Sequence, residues 1–473
     1  MVFSSLFFIF GFVPVFFVAY YLAPRQSKNV VALLGSYFFY AWGAPRFAVV
    51  LLVASLLDYI ISQRLVDVTH KKFWLSVSLT GNIALLAYCK YANFFVREFN
   101  DVFGAFGFGG IHWTQIALPI GISFFTFQKI SYIVDVYRGT TKPAKRAVDF
   151  LLYVALFPQL IAGPIVRYHD ISQELVSRTH HAVDVFEGMY RFCIGLGKKV
   201  LIANVMAETA DVVFGLDASH LTSGFAWLGI LAYGFQIYFD FSGYSDMAIG
   251  LGRMMGFHFL ENFNSPYIAK TFSEFWQRWH ISLSSFMREY LYIPLGGNRA
   301  SRVRTYVNLW IVFLFSGLWH GAEWTFLLWG AYHGLFLTLD KMFWQKFSQR
   351  LPGLVNVFLT FVFVLIGWVL FRSVGLSQAL IYTKTLFSFS DTTTTTFLID
   401  LIGRRGWIVF WIAVLLSFIP YSRVYLRLAG MLSEARACIF RRCIKIVVAI
   451  FLFSLSVLSL ANASFNPFIY FRF

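Results

Sequence analysis

The sequence predicts an all-α polytopic integral membrane protein, and three observations carry that prediction. Of 473 residues, 58% are hydrophobic and only 13% charged, with a mean hydropathy of +0.66; a soluble domain is about half apolar and about a quarter charged. Apolar runs of helical length follow one another with short loops between them. The lysines and arginines behind the net charge of +16 fall in those loops, as they do where loops face the cytoplasm and its anionic lipids.

Taken in order, the runs cover 6–22, 30–41, 46–62, 73–96, 115–137, 148–166, 185–215, 223–251, 306–320, 323–339, 354–372, 406–420 and 446–461. Several fall short of the ~20 residues of a straight crossing. The expectation is about ten to twelve crossings, with re-entrant and interfacial helices among them. The first run has no basic flank before it and no small-residue cleavage site, so it reads as a retained anchor. Arg25 and Lys28 follow it, which puts the N-terminus outside; Arg441, Arg442 and Lys445 precede the last run, which puts the C-terminus outside too. No stretch has the composition of a soluble module, so residues 1–473 read as one membrane domain, with its chemical motifs within 235–340 and an aromatic tail at 462–473.

The same features exclude several classes. A nucleic-acid footprint needs a contiguous basic face on a folded domain, and none is evident. Cys89, Cys193, Cys438 and Cys443 are too few and scattered for a disulfide framework or a metal site. Absence of an internal repeat weakens an inverted-repeat transporter. Phe157 to Pro164 sets two prolines and a glycine inside an apolar run, and broken backbone at membrane depth survives where protein or a watery cavity satisfies it; a cavity wall is expected there.

Thr271-Phe272-Ser273-Glu274 fits a capping box, so a helix is expected to begin there and run on toward Tyr292. Along it Phe272, Trp276, Trp279, Leu283 and Phe286 form an apolar stripe, and Ser273, Gln277, His280 and Ser284 a polar one. Arg278, Arg288, Arg299, Arg302 and Arg304 accompany it. Two readings stand: a cytoplasmic donor vestibule built from Trp276, Gln277, Arg278, His280, Ser284 and Arg288, or an interfacial helix with its arginines on lipid headgroups. Further on, 306–320 and 323–339 meet at Gly317-Leu318-Trp319-His320-Gly321. Ionisable groups at membrane depth are costly and mark function, and an imidazole with a pKa near ~6.5 can take a proton at working pH. Trp319 supports His320, and Glu323 is placed to orient its ring; the alternative is a structural histidine. Asp240 and Asp246, in or beside an apolar run, read as partners of basic side chains. Gly195 to Lys199 is too weak for a phosphate loop, since no strand precedes it.

Phe275 to Ser284, Tyr292 to Arg299, Gly317 to Gly321, Tyr238 to Asp246 and Met1 to Ser5 together resemble the membrane-bound O-acyltransferase (MBOAT) superfamily, most nearly its bacterial branch that O-acetylates alginate and other exopolysaccharides. The resemblance runs nearly end to end. It implies a ring of tilted helices around a thin centre, and acetyl transfer from a cytoplasmic thioester, acetyl-CoA, to an extracytoplasmic polysaccharide such as alginate, cellulose or peptidoglycan. No bound cofactor or metal is implied. His320 matches the family's catalytic histidine and His280 its second motif position. Expected partners are membrane lipid, a periplasmic SGNH-like O-acetyltransferase and a polysaccharide synthase complex in the bacterial inner membrane. Asn466 to Phe473 resembles the C-terminal motif of a small partner peptide in D-alanine transfer, which implies Tyr470 as an acyl relay; an aromatic anchor is the other reading. The rival for the whole chain is an export subunit without covalent chemistry. The enzyme reading requires the His320 ring to be reachable from both leaflets.

Overall fold

The computed structural model describes residues 1–66, 69–161, 163–299, 301–388, 395–421, 438–462 and 466, and every regular element among them is helical. The protein is an all-α polytopic membrane protein. Contacts divide it into two compact units, residues 1–186 with 251–260 and residues 187–250 with 261–473.

In the first unit the helices are α1 (Val13–Leu22), α2 (Lys28–Ala41), α3 (Pro45–Arg64), α4 (Lys71–Ala105), α5 (Ile122–Arg138), α6 (Ala147–Ala155), α7 (Phe157–Leu160) and α8 (Tyr168–Val176). Pro45 starts α3 because a first-turn residue needs no amide hydrogen. Gly139, at φ 77°, stops α5 in the left-handed conformation, and Thr140 N–H then bonds the Asp135 carbonyl. The interruption expected at Phe157 to Pro164 is present: helix stops at Ala155 and restarts for one turn behind Pro158. The cavity wall expected there is not what forms. Phe157 is fully buried, with Phe12, Phe16 and Phe39 at 5.3, 5.0 and 5.5 Å, so an aromatic cluster fills the space instead. Ala162 lies outside the described residues.

The second unit takes most of α9 (Ala182–Gly197) and α11 (Ser223–Met254), then α10 (Asn204–Phe214), α12 (Phe272–Arg278), α13 (Ile281–Met287), α14 (Arg302–His320), α15 (Trp324–Leu339), α16 (Gln345–Ser348), α17 (Gly353–Arg372), α18 (Leu376–Leu386), α19 (Thr395–Phe418) and α20 (Cys438–Asn462). A Cβ on Gly195 would lie 2.5 Å from the Gly243 carbonyl, and one on Gly250 2.5 Å from the Gly188 carbonyl, so α9 and α11 touch backbone to backbone. Ion pairs fix the seam: Lys199 to Asp240 at 2.9 Å, Lys198 to Asp246 at 2.7 Å and Arg191 to Asp246 at 2.8 Å. Lys198 and Lys199 are therefore committed to carboxylates, as suits a structural segment and not a phosphate loop.

Three described helical stretches are long and apolar enough to cross a membrane by themselves: Pro45–Arg64, Gly353–Arg372 and Phe440–Asn462. The segment expected at 306–320 begins four residues earlier than the apolar run and is not among these three. Ser301 Oγ accepts the Arg304 N–H and starts α14 at Arg302, giving 19 residues, or about 28 Å at ~1.5 Å per residue. Its first turn is basic, which hid it from an apolar scan.

Candidate active site

The cap predicted at Thr271 is present in part. Thr271 Oγ1 accepts the Glu274 N–H at 3.1 Å, while the Glu274 carboxylate reaches one residue further back, to Lys270 N–H at 2.8 Å. Asp340 Oδ2 takes the Ser273 N–H at 2.7 Å. The continuous helix expected beyond it does not form. α12 ends at Arg278, Trp279 is extended, and His280 adopts φ 45°, ψ 54° before α13 begins. A left-handed non-glycine residue is uncommon and persists only where its surroundings impose it. Here a distant segment does so: Asn264 N–H bonds the Arg278 carbonyl and Ile281 N–H the Asn262 carbonyl, both at 2.9 Å.

The break divides the expected polar stripe. Ser273, Gln277 and Ser284 line a cleft, while His280 turns inward and is fully buried. His280 Nδ1 lies 3.0 Å from Asn262 Oδ1, which also accepts from Ser282 N–H (3.2 Å) and Ser282 Oγ (2.9 Å). A backbone amide can only donate, so that oxygen is an acceptor and His280 must carry its proton on Nδ1, leaving Nε2 as the acceptor nitrogen of a neutral ring. Asn262 had no signal in the sequence; it is one of two asparagines, with Asn264, shortly before Pro266.

α14 and α15 form a hairpin closed by glycines. A Cβ on Gly317 would sit 2.4 Å from the Phe326 carbonyl, and one on Gly330 2.3 Å from the Phe313 carbonyl. His320 is the last residue of α14 and is 7% exposed. Its Nδ1 lies 2.6 Å from the Ser316 carbonyl oxygen. A carbonyl accepts, so Nδ1 holds the proton and Nε2 the lone pair. The ring packs on Trp319, Trp329 and Phe371 at 4.7, 4.8 and 5.4 Å. Trp319 also faces His280, at 6.2 Å. Glu323 sits exposed ahead of α15, and the group seen orienting the Nδ1 side of the ring is the Ser316 carbonyl. His333, on α15, is a third buried imidazole. It packs on Trp329 at 4.8 Å, and its Nδ1 accepts the Trp276 indole N–H at 3.2 Å.

The cleft has a volume of about 380 Å³ and runs between α12, α13 and α14. Trp276, Leu283, Leu309 and Phe313 wall it; Gln277, Ser284, Arg288 and Tyr292 supply polar groups, and it reaches Ser316, one turn before His320. A more polar cleft of about 520 Å³, with Lys270, Gln345 and Asn356 in its lining, shares Ser273 and Gln277 with it. Of the expected vestibule residues, Trp276, Gln277, Ser284 and Arg288 line the cleft. Arg278 does not: its guanidinium bonds Glu274 at 2.9 Å and the Asn264 carbonyl at 3.0 Å. The cleft lining does not include the rings of His280 and His320. Tyr470 lies outside the described residues.

Residues 145–376 match the membrane-bound O-acyltransferase family. The chain is 47% identical, over 82% of its length and 75% of the relative's, to a Pseudomonas aeruginosa protein named "Probable alginate O-acetylase AlgI". It is 41% identical, over the full length of both chains, to the protein of that name from Azotobacter vinelandii. A peptidoglycan O-acetyltransferase of Helicobacter pylori is 38% identical over 80% of this chain and 78% of its own. With identity of this order over most of its length, the chain belongs to the membrane-bound O-acyltransferase family and is an O-acyltransferase of the membrane.

Proposed function

We propose that this enzyme carries acetyl groups from acetyl-CoA on the cytoplasmic side of the inner membrane to the hydroxyls of an extracytoplasmic polysaccharide, with alginate the first polymer to test. The alginate O-acetylases among its relatives support the polymer, and the peptidoglycan enzyme supports acetyl as the group moved. The observation that carries the chemistry is the His320 Nδ1–H donated to the Ser316 carbonyl, which keeps Nε2 basic at the end of α14.

In this mechanism Nε2 of His320 takes the proton of the acceptor hydroxyl as its oxygen bonds the thioester carbonyl carbon. The tetrahedral intermediate then collapses, the carbon–sulfur bond breaks, and the departing thiolate takes the proton from the imidazolium. A positioned base of this kind contributes about 10²–10⁴-fold. The Ser316 carbonyl stabilises the imidazolium meanwhile. His280 is a positioning residue, acting through Trp319, on which both imidazoles pack. The thioester arm enters the cleft along Gln277 and Ser284 toward Ser316, with Arg288 holding phosphate at the mouth. The acceptor hydroxyl in this step is that of Tyr470. A hydroxyl of a periplasmic SGNH-like transferase associated with the polymer synthase then attacks the tyrosyl acetyl ester, its proton passing to the tyrosine oxygen as that carbon–oxygen bond breaks. The polysaccharide hydroxyl takes the acetyl group from the transferase in the same way.

The test is purified full-length protein with acetyl-labelled acetyl-CoA and alginate oligomers, with and without that transferase. Labelled ester that depends on His320 supports the reading. Transport of unmodified oligomers without consumption of the thioester defeats it.

A further inference from the structure

Outside the active site, the first unit holds a buried polar cluster on α3, α4 and α5. Asp58 Oδ1 accepts from Ser78 Oγ at 2.5 Å and Oδ2 from Asn82 Nδ2 at 2.9 Å, and Lys129 Nζ stands 3.4 Å from that same Oδ2. None of these four is more than 4% exposed. Asn82 Oδ1 has no hydrogen-bond partner among the described residues, and a buried acceptor left bare is costly. The cluster floors a groove of about 530 Å³ whose aliphatic walls include Val53, Leu57 and Val77, each well exposed. Gly81 also lines it, and a Cβ there would meet nothing within 4 Å. Glycine inside a helix is unfavourable, and unlike Gly317 this one relieves no contact within the chain.

We propose that this groove holds a membrane lipid whose headgroup carries a primary ammonium, with one acyl chain lying along α3 and α4 over Gly81. An ammonium supplies three donors and no acceptor, which suits Asn82 Oδ1 and the Asp58 carboxylate. The lipid's phosphate faces Lys129, whose pairing with Asp58 is loose enough to share. A zwitterionic floor thus meets a zwitterionic head. A covering protein helix could satisfy Asn82 only through a side-chain donor, because its backbone donors are already bonded within the helix.

The test uses full-length protein in detergent and phosphatidylethanolamine with a photoreactive diazirine in one acyl chain, the labelled peptides being mapped by mass spectrometry. Label is expected on α3 and on α4 around Gly81, displaced by unlabelled phosphatidylethanolamine and about tenfold less well by phosphatidylglycerol, the difference one charged hydrogen bond can make. Gly81→Leu fills the notch without a clash and is expected to abolish labelling with thermal unfolding unchanged or raised, and Asn82→Leu to erase the headgroup preference. Undiminished labelling of Gly81→Leu, equal displacement by the two lipids, or a protein segment occupying the groove would overturn the proposal.

Discussion

His320 and His333 stand on the two arms of one hairpin, both buried and both packed edge-to-face with Trp329 at 4.8 Å. Their hydrogen bonds run in opposite senses. His320 donates from Nδ1 to a backbone carbonyl, whereas His333 accepts at Nδ1 from the Trp276 indole, which can only donate. His320 therefore has Nε2 as its acceptor nitrogen, on the side away from the Ser316 carbonyl, whereas His333 uses Nδ1 as the acceptor for its anchor. His333 Nε2, which carries the proton, has no hydrogen-bond partner among the described residues. Both rings are buried and share Trp329, although His333 also packs on Phe272, Trp276 and Tyr332 where His320 has Trp319 and Phe371. The partner atom at Nδ1 is what separates the ring assigned as base from the one that braces a tryptophan.

Substitution of the two histidines tests this division at its largest expected effect. His320→Ala is expected to cut acetyl transfer by at least about 10²–10⁴-fold, with membrane insertion and thermal unfolding little changed; labelled acetyl-CoA consumption measures it, and near-normal turnover would erase the distinction. Next in size is Asn262→Leu. It strips the acceptor from His280 Nδ1 and from the Ser282 N–H, at about 1–3 kcal/mol for each buried donor left bare. Lower thermal stability is expected together with reduced transfer, since the His280 ring and the Ser282 N–H lose their side-chain acceptor while the backbone bonds of the turn remain. His333→Gln, which keeps an acceptor for the indole, is expected to hold turnover within about tenfold of the parent. His333→Leu leaves the Trp276 N–H bare and costs about 1–3 kcal/mol in unfolding. A His333→Gln enzyme as dead as His320→Ala would show that both imidazoles do proton work.

Much of this was legible in residue order, and what was not has a common cause. Apolar runs located the helices, Thr271 announced a helix start, and Gly317 and Gly321 marked the place where α14 must end against α15. Each of those signals is local. The turn at His280 is not, because its backbone groups are satisfied by residues 262–264, and a stripe pattern carried straight through it. Likewise Phe157 to Pro164 read correctly as broken helix, yet whether the break faces water or aromatic rings was decided by phenylalanines far away in the chain. The tautomer of His320 depends on a backbone carbonyl, which no sequence pattern encodes. As for Asp240 and Asp246, a buried carboxylate demands a cation, but only the fold names Lys199 and Lys198.

The smallest effect separates bracing from chemistry most finely. Trp276 belongs to two systems at once: its ring walls the cleft, and its N–H holds His333. Trp276→Phe keeps most of the wall and removes the donor. If His333 serves only to hold that indole, Trp276→Phe and His333→Leu each weaken donor binding, and the double variant is no worse than either alone, with a coupling of about 0.5–1.5 kcal/mol. That coupling should appear in KM for acetyl-CoA, since a displaced cleft wall changes how the thioester is held before any proton moves. Additive losses in kcat would instead place His333 in the reaction itself, and the contrast between the two arms of the hairpin would fail.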